Sequence, residues 1–262
     1  NNDITVTDVI TASNSSGDGG NLTMQAGRSI LINANITTDN GDLTLTANDT
    51  TANGVVDGQR SSGAAVITMA SSGSGTTINT GTGTFTATIS TNSTSGDITL
   101  DNVTAGALVV TNNGTTTGSD ILGNVGGVLT ITNTSSFTTA ASDADITLSS
   151  ANALTGAVSL NTTGTTAHAT LDNGTTELDL GTSTVGGNLA VTAGHDITDS
   201  GVLTVGGTSS FTTDVNDKTI TFDENHVFTG PISITTTDNE TGVDNDSDVT
   251  ISGISGTEVK LG

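Results

Sequence analysis

The phrase "TSSFTT" occurs twice in this chain, at 134–139 and again at 208–213, a spacing of 74 residues. An ungapped alignment extends the match over 31 positions, of which fourteen are identical. Where the copies differ, apolar residues replace apolar residues, as with Val158 and Ile232, while polar positions vary freely. Self-similarity at a fixed long period is typical of stacked-repeat proteins, in which each unit buries its apolar side against its neighbours. The sequence therefore predicts a superrepeat of about 74 residues that pairs 128–164 with 202–238.

Short alternating stretches fill the chain between clusters of Gly, Asn, Asp and Ser. Examples are "GDLTLTAN", "GTFTATIS", "ADITLSS" and "GNLAVTAG". Apolar residues alternate with Thr, Ser or Asn in each, which is the pattern of strands with one face buried. Threonine alone accounts for 57 of the 262 residues, and its branched Cβ favours strands. No helical periodicity is sustained, so we expect an all-β fold.

Strands of this kind build antiparallel sandwiches and barrels as well as solenoids. The superrepeat, the scarcity of hairpin turn pairs and the slim inward residues, with five Phe and no Trp or Tyr, favour a parallel β-solenoid. At roughly 18 to 25 residues per turn the chain would make about 11 to 14 turns. Because a solenoid grows by adding turns, its length need not imply several domains. We expect one continuous solenoid over 1–262.

Two segments carry a family resemblance. The first, from Gly19 to Met69, begins "GGNLTMQAGRSILINANITTDNGDLTLTAN", and the second runs from Leu178 to Thr213. They resemble filamentous-haemagglutinin-like β-strand-repeat proteins, the large adhesins that Gram-negative bacteria export by two-partner secretion. The resemblance implies a right-handed parallel β-helix, an extracellular location at the bacterial cell surface, and a role in adhesion, biofilm or surface structure. It transfers no catalytic residues, and the family's secretion-recognition domain is not evident.

Net charge excludes several classes of partner. The chain carries 27 acidic residues against four basic ones, for a net charge of −23. Such a surface repels phosphate backbones, which argues against nucleic-acid binding, and anionic membranes are poor partners for the same reason. No apolar run approaches the length of about 18 residues that spans a bilayer, so we expect no membrane insertion. The absence of cysteine removes disulfides, thiolate nucleophiles and cysteine-based metal sites.

Acidic residues crowd the stretch "DNETGVDNDSD" near the C-terminal end. Asp244, Asp246 and Asp248 stand at alternate positions, as do the first three oxygen ligands of a calcium loop. The rest of that motif is missing, since Val249 stands where glycine is required and Ser255 where the bidentate Glu belongs. A solvated loop that keeps the protein soluble is the other interpretation. Calcium binding by these three residues is a hypothesis, and we expect no other cofactor.

Catalysis is not expected from this composition. Polysaccharide chemistry needs closely set carboxylates, and sugar sites usually include aromatic platforms, but the chain has no Trp or Tyr and its four basic residues are scattered. His168, His195 and His226 are about 30 residues apart and could lie on neighbouring turns, yet solvated corners are the default for the first two. The segment 223–228, "DENHVF", has "SSANAL" as its counterpart one superrepeat earlier, so the fold tolerates its absence.

Both ends of the sequence read as strands, "NNDITVTDVI" and "GTEVKLG". Uncapped strand edges pair with other edges, so we expect the stack to continue, either in a longer chain or end to end in the next copy. The sequence predicts a structural or adhesive rod of an extracellular surface protein or fibre, with no catalysis. Partners would be copies of itself and host, matrix or glycan ligands. The alternative is a calcium-dependent extracellular binding module.

Overall fold

The computed structural model describes residues 3–15, 17–50, 57–71, 75–92, 94–237, 249–251 and 259–261. Within these ranges the chain forms thirty β-strands and one short 3-10 helix, Asp57–Gln59. The strands are β1 (Ile4–Val6), β2 (Ile10–Thr11), β3 (Leu22–Gln25), β4 (Ile30–Ile32), β5 (Ile36–Thr37), β6 (Leu43–Ala47), β7 (Ala65–Met69), β8 (Thr77–Asn79), β9 (Thr84–Ile89), β10 (Ser95–Leu100), β11 (Asn102–Ala105), β12 (Ala107–Asn112), β13 (Ile121–Gly123), β14 (Leu129–Ile131), β15 (Ser135–Ser142), β16 (Ile146–Leu148), β17 (Ala153–Leu154), β18 (Val158–Thr163), β19 (Ala169–Asp172), β20 (Leu178–Leu180), β21 (Ser183–Val185), β22 (Leu189–Ala193), β23 (Ile197–Asp199), β24 (Leu203–Val205), β25 (Ser209–Asn216), β26 (Ile220–Phe222), β27 (Val227–Phe228), β28 (Ile232–Thr237), β29 (Val249–Ile251) and β30 (Val259–Leu261). None of the described helices is long and apolar enough to cross a membrane.

The strands stack in parallel into three faces. Face 1 has eleven described strands in the order β1, β4, β7, β10, β13, β16, β19, β22, β25, β28 and β30. Face 2 has six, from β2 through β5, β8, β11 and β14 to β17. Face 3 runs from β3 through β6, β9, β12, β15, β18, β20, β23 and β26 to β29, with β21, β24 and β27 as a side ladder. This is the predicted parallel β-solenoid.

The described chain makes about ten turns, because ten steps connect the eleven strands of face 1. That is fewer than the roughly 11 to 14 turns that the expected coil length predicted. Many coils do match that length, with separations of 20, 23 and 25 residues between hydrogen-bonded corners. The two coils between β4 and β10 are longer, since 37 residues separate Ser29 from Val66 and 31 separate Ile67 from Ile98. These two longer coils lower the number of turns by about one.

Isoleucine stacks on isoleucine along the inward side of face 1. The column consists of Ile4, Ile30, Ile67, Ile98, Ile121 and Ile146. The last five are fully buried, and each such side chain stabilises the fold by about 1.5 to 3 kcal/mol. Identical branched side chains thus stack one coil apart, and they belong to one cluster of buried residues that extends along the solenoid.

Face 2 ends at β17, where a side chain replaces the next strand. The Asn173 amide lies against Leu154 as a peptide group would: Oδ1 accepts the Leu154 N–H at 2.9 Å, and Nδ2 donates to the Leu154 carbonyl at 3.1 Å. Nδ2 also donates to the Glu177 carbonyl at 2.8 Å. Asn173 is fully buried. One side chain thus satisfies backbone groups that the missing strand would have paired.

Face 3 divides where face 2 ends. Strand β18 pairs with β20 through Val158 opposite Leu180, and with β21 through Asn161 opposite Thr184. From this coil onward the chain passes through face 1, face 3 and the side ladder of β21, β24 and β27. The solenoid therefore changes its cross-section partway along its length.

The two copies of the repeated phrase lie on different faces. The first copy runs into β15 on face 3 and the second into β25 on face 1. In both, the second, fourth and sixth residues of the phrase are buried. Asp143 and Asp217 occupy equivalent positions after these strands, with φ angles of 65° and 62°, a left-handed conformation that Asp tolerates better than most residues. The two copies of the superrepeat therefore share a strand followed by a corner, but these strands lie on different faces.

Candidate functional site

A row of acceptor side chains lies where the chain enters face 1. Asp97 Oδ1 accepts the N–H of Asp120 at 3.0 Å, Asp120 Oδ1 accepts that of Asp145 at 2.8 Å, and Asp145 Oδ1 accepts that of His168 at 2.7 Å. The row continues through His168 Nδ1, which accepts the Asn188 N–H at 2.8 Å. We call these five residues the corner ladder. Each of these side chains accepts a hydrogen bond from a backbone N–H of the next coil. The three Asp residues of the corner ladder therefore help to hold successive coils together.

Electrostatic repulsion accompanies this stacking. Partial burial raises the pKa of the Asp120 carboxyl, the Asp145 N–H that it accepts lowers it, and the neighbouring carboxylates of Asp97 and Asp145 raise it further. Stacked carboxylates one coil apart, about 4.8 Å, repel one another, and the backbone hydrogen bonds offset that repulsion. The corner ladder therefore satisfies backbone N–H groups of successive coils although its carboxylates carry like charges.

Asparagines cap other corners in the same way, which bears on the chain's many N-x-S/T sequons. Asn21 Oδ1 accepts an N–H from the next coil at 2.8 Å, Asn35 Oδ1 at 2.9 Å and Asn102 Oδ1 at 3.3 Å. Each is followed by an inward apolar residue and an outward threonine. The fold therefore explains the N-x-T pattern at these corners: the Asn accepts a backbone N–H, the middle residue faces the core, and the Thr faces outward.

Two of the four basic residues connect coils near the N-terminal end. Arg28 donates to both carboxylate oxygens of Asp3, from Nε at 2.8 Å and from Nη2 at 2.5 Å. The hydrogen bond from Arg28 holds the pKa of Asp3 below its usual value. Arg60, in the insertion between β6 and β7, donates to the Gly27 carbonyl at 2.9 Å and to Asn48 Oδ1 at 2.9 Å. Each guanidinium group thus connects segments that are far apart in sequence, Arg28 with Asp3 and Arg60 with Gly27.

A buried histidine and carboxylate face each other in the C-terminal coils. His226 Nε2 lies 3.3 Å from Asp199 Oδ2, and their side chains are 0% and 1% exposed. His226 Nδ1 accepts the Leu203 N–H at 3.1 Å, so the proton of the neutral ring is on Nε2, facing Asp199. The rings of Phe222 and Phe228 lie 5.5 and 5.7 Å from the imidazole. The pair is enclosed in the core, and its geometry suits cross-linking of coils.

Acidification is expected to weaken the fold through His226. Burial lowers the pKa of His226, although Asp199, Glu224 and Asp223 oppose that shift. The unfolded chain therefore binds a proton below about pH 6.5 that the folded chain resists, and stability is lost as the pH falls below that value. The loss is at most about 1.4 kcal/mol per pH unit, or about 2 kcal/mol between pH 7 and 5. Urea unfolding at a series of pH values measures it.

The matched variants are His226→Asn, which keeps an acceptor beside the main chain, and His195→Asn. His195 Nδ1 lies 3.5 Å from Asp196 Oδ2 and its side chain is 42% exposed. The difference between wild type and His226→Asn should shrink as the pH falls, whereas His195→Asn, at an exposed site, should leave the loss of stability caused by His226 in place. A wild-type stability no more sensitive to pH than that of His226→Asn would contradict the assignment.

Each histidine has its own environment: His168 belongs to the corner ladder, His195 lies beside Asp196, and His226 is in the core. No group of three or more His, Asp or Glu side chains in the described ranges could hold a metal ion. The proposed calcium ligands, Asp244, Asp246 and Asp248, lie outside the described residues, so calcium binding there stays a prediction.

Two equivalent serines of the superrepeat bury hydroxyls without a partner among the described residues. Ser135 and Ser209 are each 1% exposed, and neither Oγ makes a hydrogen bond. Ser135→Ala and Ser209→Ala should each raise the free energy of unfolding by about 1 kcal/mol, because an unpaired buried hydroxyl is removed. Urea denaturation with an unchanged m-value checks this result.

The control for that prediction is Ser183→Ala. The Ser183 hydroxyl donates to the Gly181 carbonyl at 2.9 Å and accepts the Leu160 N–H at 3.0 Å, so its removal should lower stability by about 1 to 2 kcal/mol. If Ser209→Ala destabilised the fold as much as Ser183→Ala does, the Ser209 hydroxyl would have to be satisfied.

Comparison with known proteins adds one match. A family model described as repeats of unknown function, DUF5649, matches residues 166–235. Neither a curated protein nor a solved structure matches the chain. The matched segment runs from the corner before β19 into β28, and so covers coils that follow the end of face 2. Together, the match and the parallel stack identify the chain as a repeat β-strand protein with a solenoid fold.

Proposed function

We propose that this chain is a rigid rod of a bacterial extracellular surface protein, either the stalk of an adhesin or the subunit of a fibre, and that it has no catalytic activity. The observation that carries the proposal is face 1, where eleven parallel strands in the described chain stack without interruption. Ten steps of about 4.8 Å give a rod of about 48 Å. Continuous hydrogen bonding from coil to coil resists bending, as a stalk or fibre requires.

The rod's partners are proposed to be further coils and surface ligands. In the described chain, β1, β2 and β3 stand first in their faces and pair on one side only. An open strand edge pairs readily with another strand, so the stack is proposed to continue end to end, through the same polypeptide or through the next copy. Outward rows of Thr, Ser and Asn would offer hydroxyls and amides to host, matrix or glycan ligands.

The proposal that the chain is not catalytic is supported by the hydrogen bonds and burial of its titratable side chains. The carboxylates of the corner ladder accept backbone N–H groups, and the buried imidazole of His226 faces Asp199 inside the core. Groups engaged in this way are poorly placed to attack or protonate a substrate. A screen on acidic and neutral polysaccharides is expected to show no depolymerisation, and measurable turnover would contradict this part of the proposal.

Limited proteolysis of intact source cells tests the location. An external protease that cannot enter the cells should remove the chain from unlysed cells while a cytoplasmic marker stays intact. Electron microscopy of the released material should show thin rods or fibres. Complete protection of the chain until lysis, together with compact particles, would overturn the proposal of an extracellular rod.

A further inference from the structure

One surface of the solenoid combines regular rows of side chains with strands that contain no charged residue. We call it the threonine face: the outward side of the six strands β3, β6, β9, β12, β15 and β18 of face 3. Successive strands pair in continuous register across the two outward rows. The first row is Thr23, Thr44, Thr86, Val109, Ser136 and Ser159, and the second is Gln25, Thr46, Thr88, Thr111, Thr138 and Asn161.

The six strands of the threonine face contain no Asp, Glu, Lys, Arg or His, in a chain with 27 acidic residues. Face 1 differs, because its strands include Asp97, Asp172, Asp214 and Lys260. Two copies of so acidic a rod repel each other at most orientations. The six strands of face 2 also carry no charged residue, but they are only two to four residues long. The strands of the threonine face are four to eight residues long, so this face is the larger uncharged sheet on which two copies could approach.

We infer that two copies of this solenoid pair side by side through the threonine face. Any partner that engages both rows over several coils needs the same repeat, about 4.8 Å, and a second copy has that repeat by construction. Threonine hydroxyls can donate and accept across such a contact, while the methyl groups and Val109, which is 38% exposed, supply apolar area. A glycan occupant is less well matched, because sugar sites usually include aromatic platforms and the chain has no Trp or Tyr.

The size of the face sets the strength of the contact. Six coils at about 4.8 Å and strands of about 20 Å give a surface of about 600 Å² per copy, or about 1,200 Å² in total. That is the low end for specific protein interfaces. Pairing is therefore expected to be weak and concentration-dependent for one rod, and to strengthen when rods are joined along a fibre. This lateral contact is additional to the end-to-end stacking of the proposed function.

Sedimentation equilibrium and small-angle scattering over a concentration series test the inference. Wild type should dimerise more strongly at about 0.5 M than at about 0.05 M NaCl, since salt screens the repulsion between acidic rods. The cross-sectional radius of gyration should rise with dimerisation, whereas end-to-end association would leave it unchanged. Thr88→Glu and Thr138→Glu should each weaken the dimer at least about tenfold, through charge and bulk on the face.

The matched control is Thr147→Glu, which adds the same charge to the outward side of face 1. It should leave dimerisation close to wild type, and thermal unfolding of all three variants should confirm that they are folded. A wild-type chain that stays monomeric at every concentration and salt would overturn the lateral contact and leave the rod itself intact. Dimers weakened by Thr147→Glu but not by Thr88→Glu would overturn it as well.

Discussion

Replacing Asn173 by alanine is expected to lower the free energy of unfolding by about 3 to 5 kcal/mol, because one buried amide satisfies several backbone groups. Its Oδ1 accepts the Leu154 N–H, and its Nδ2 donates to the carbonyls of Leu154 and Glu177. Alanine would leave these groups unpaired at a fully buried position. Asn173→Asp should be at least as damaging, since it would turn a carboxylate oxygen toward carbonyl oxygens. Urea unfolding measures both.

The control for Asn173 is Asn161→Ala. Asn161 Oδ1 accepts a single N–H, from Thr184 at 3.1 Å, and the residue is half-buried, so its loss should cost about 1 kcal/mol or less. Equal effects at the two positions would mean that the Asn173 amide does not replace a strand at the end of face 2.

Gly106→Ala is expected to destabilise the fold by about 3 kcal/mol, because a side chain there meets the main chain of the neighbouring coil. A Cβ on Gly106 would lie 2.0 Å from the Thr82 carbonyl oxygen and 2.6 Å from the Thr82 carbonyl carbon. Gly106 also donates its N–H to the Gly83 carbonyl at 2.9 Å. The two coils would have to separate at this corner, which would weaken the ladder on both sides.

Gly20→Ala is the matched control for Gly106→Ala. A Cβ on Gly20 would meet no atom within 4 Å and the residue is exposed. Alanine there should be neutral or stabilise by a few tenths of a kcal/mol, because it restricts the unfolded chain. Comparable melting temperatures for the two variants would show that the coils are not as closely stacked at Gly106 as the structure has them.

The strand pattern could be predicted from sequence because alternation of apolar and polar residues is local. Parallel stacking followed from the superrepeat, since apolar positions matched over 31 residues. The change of face could not be predicted in this way. An inward-outward alternation reads the same on every face, so nothing in "TSSFTT" distinguishes β15 on face 3 from β25 on face 1.

The corner ladder was missed, although its signal is present. An Asp followed by Ile recurs at 97–98, 120–121 and 145–146, with spacings of 23 and 25 residues. Net charge and metal-ligand spacing do not depend on where an acidic residue lies relative to a strand, so neither predicts the hydrogen bonds of the corner ladder. Asn173 has no comparable signal, since its role depends on the absence of a strand beside Leu154, which is a tertiary feature.

Spin-label distances along face 1 test the parallel stack most directly. The register runs without a break from Thr5 to Ser233 in nine steps, and from Thr5 to Thr147 in five. Since the chain has no cysteine, labels can be placed uniquely at introduced cysteines at these three positions. Double electron–electron resonance should give about 24 Å for the five-step pair and about 43 Å for the nine-step pair. Distances that do not increase in proportion to the number of steps would contradict the stacked coils.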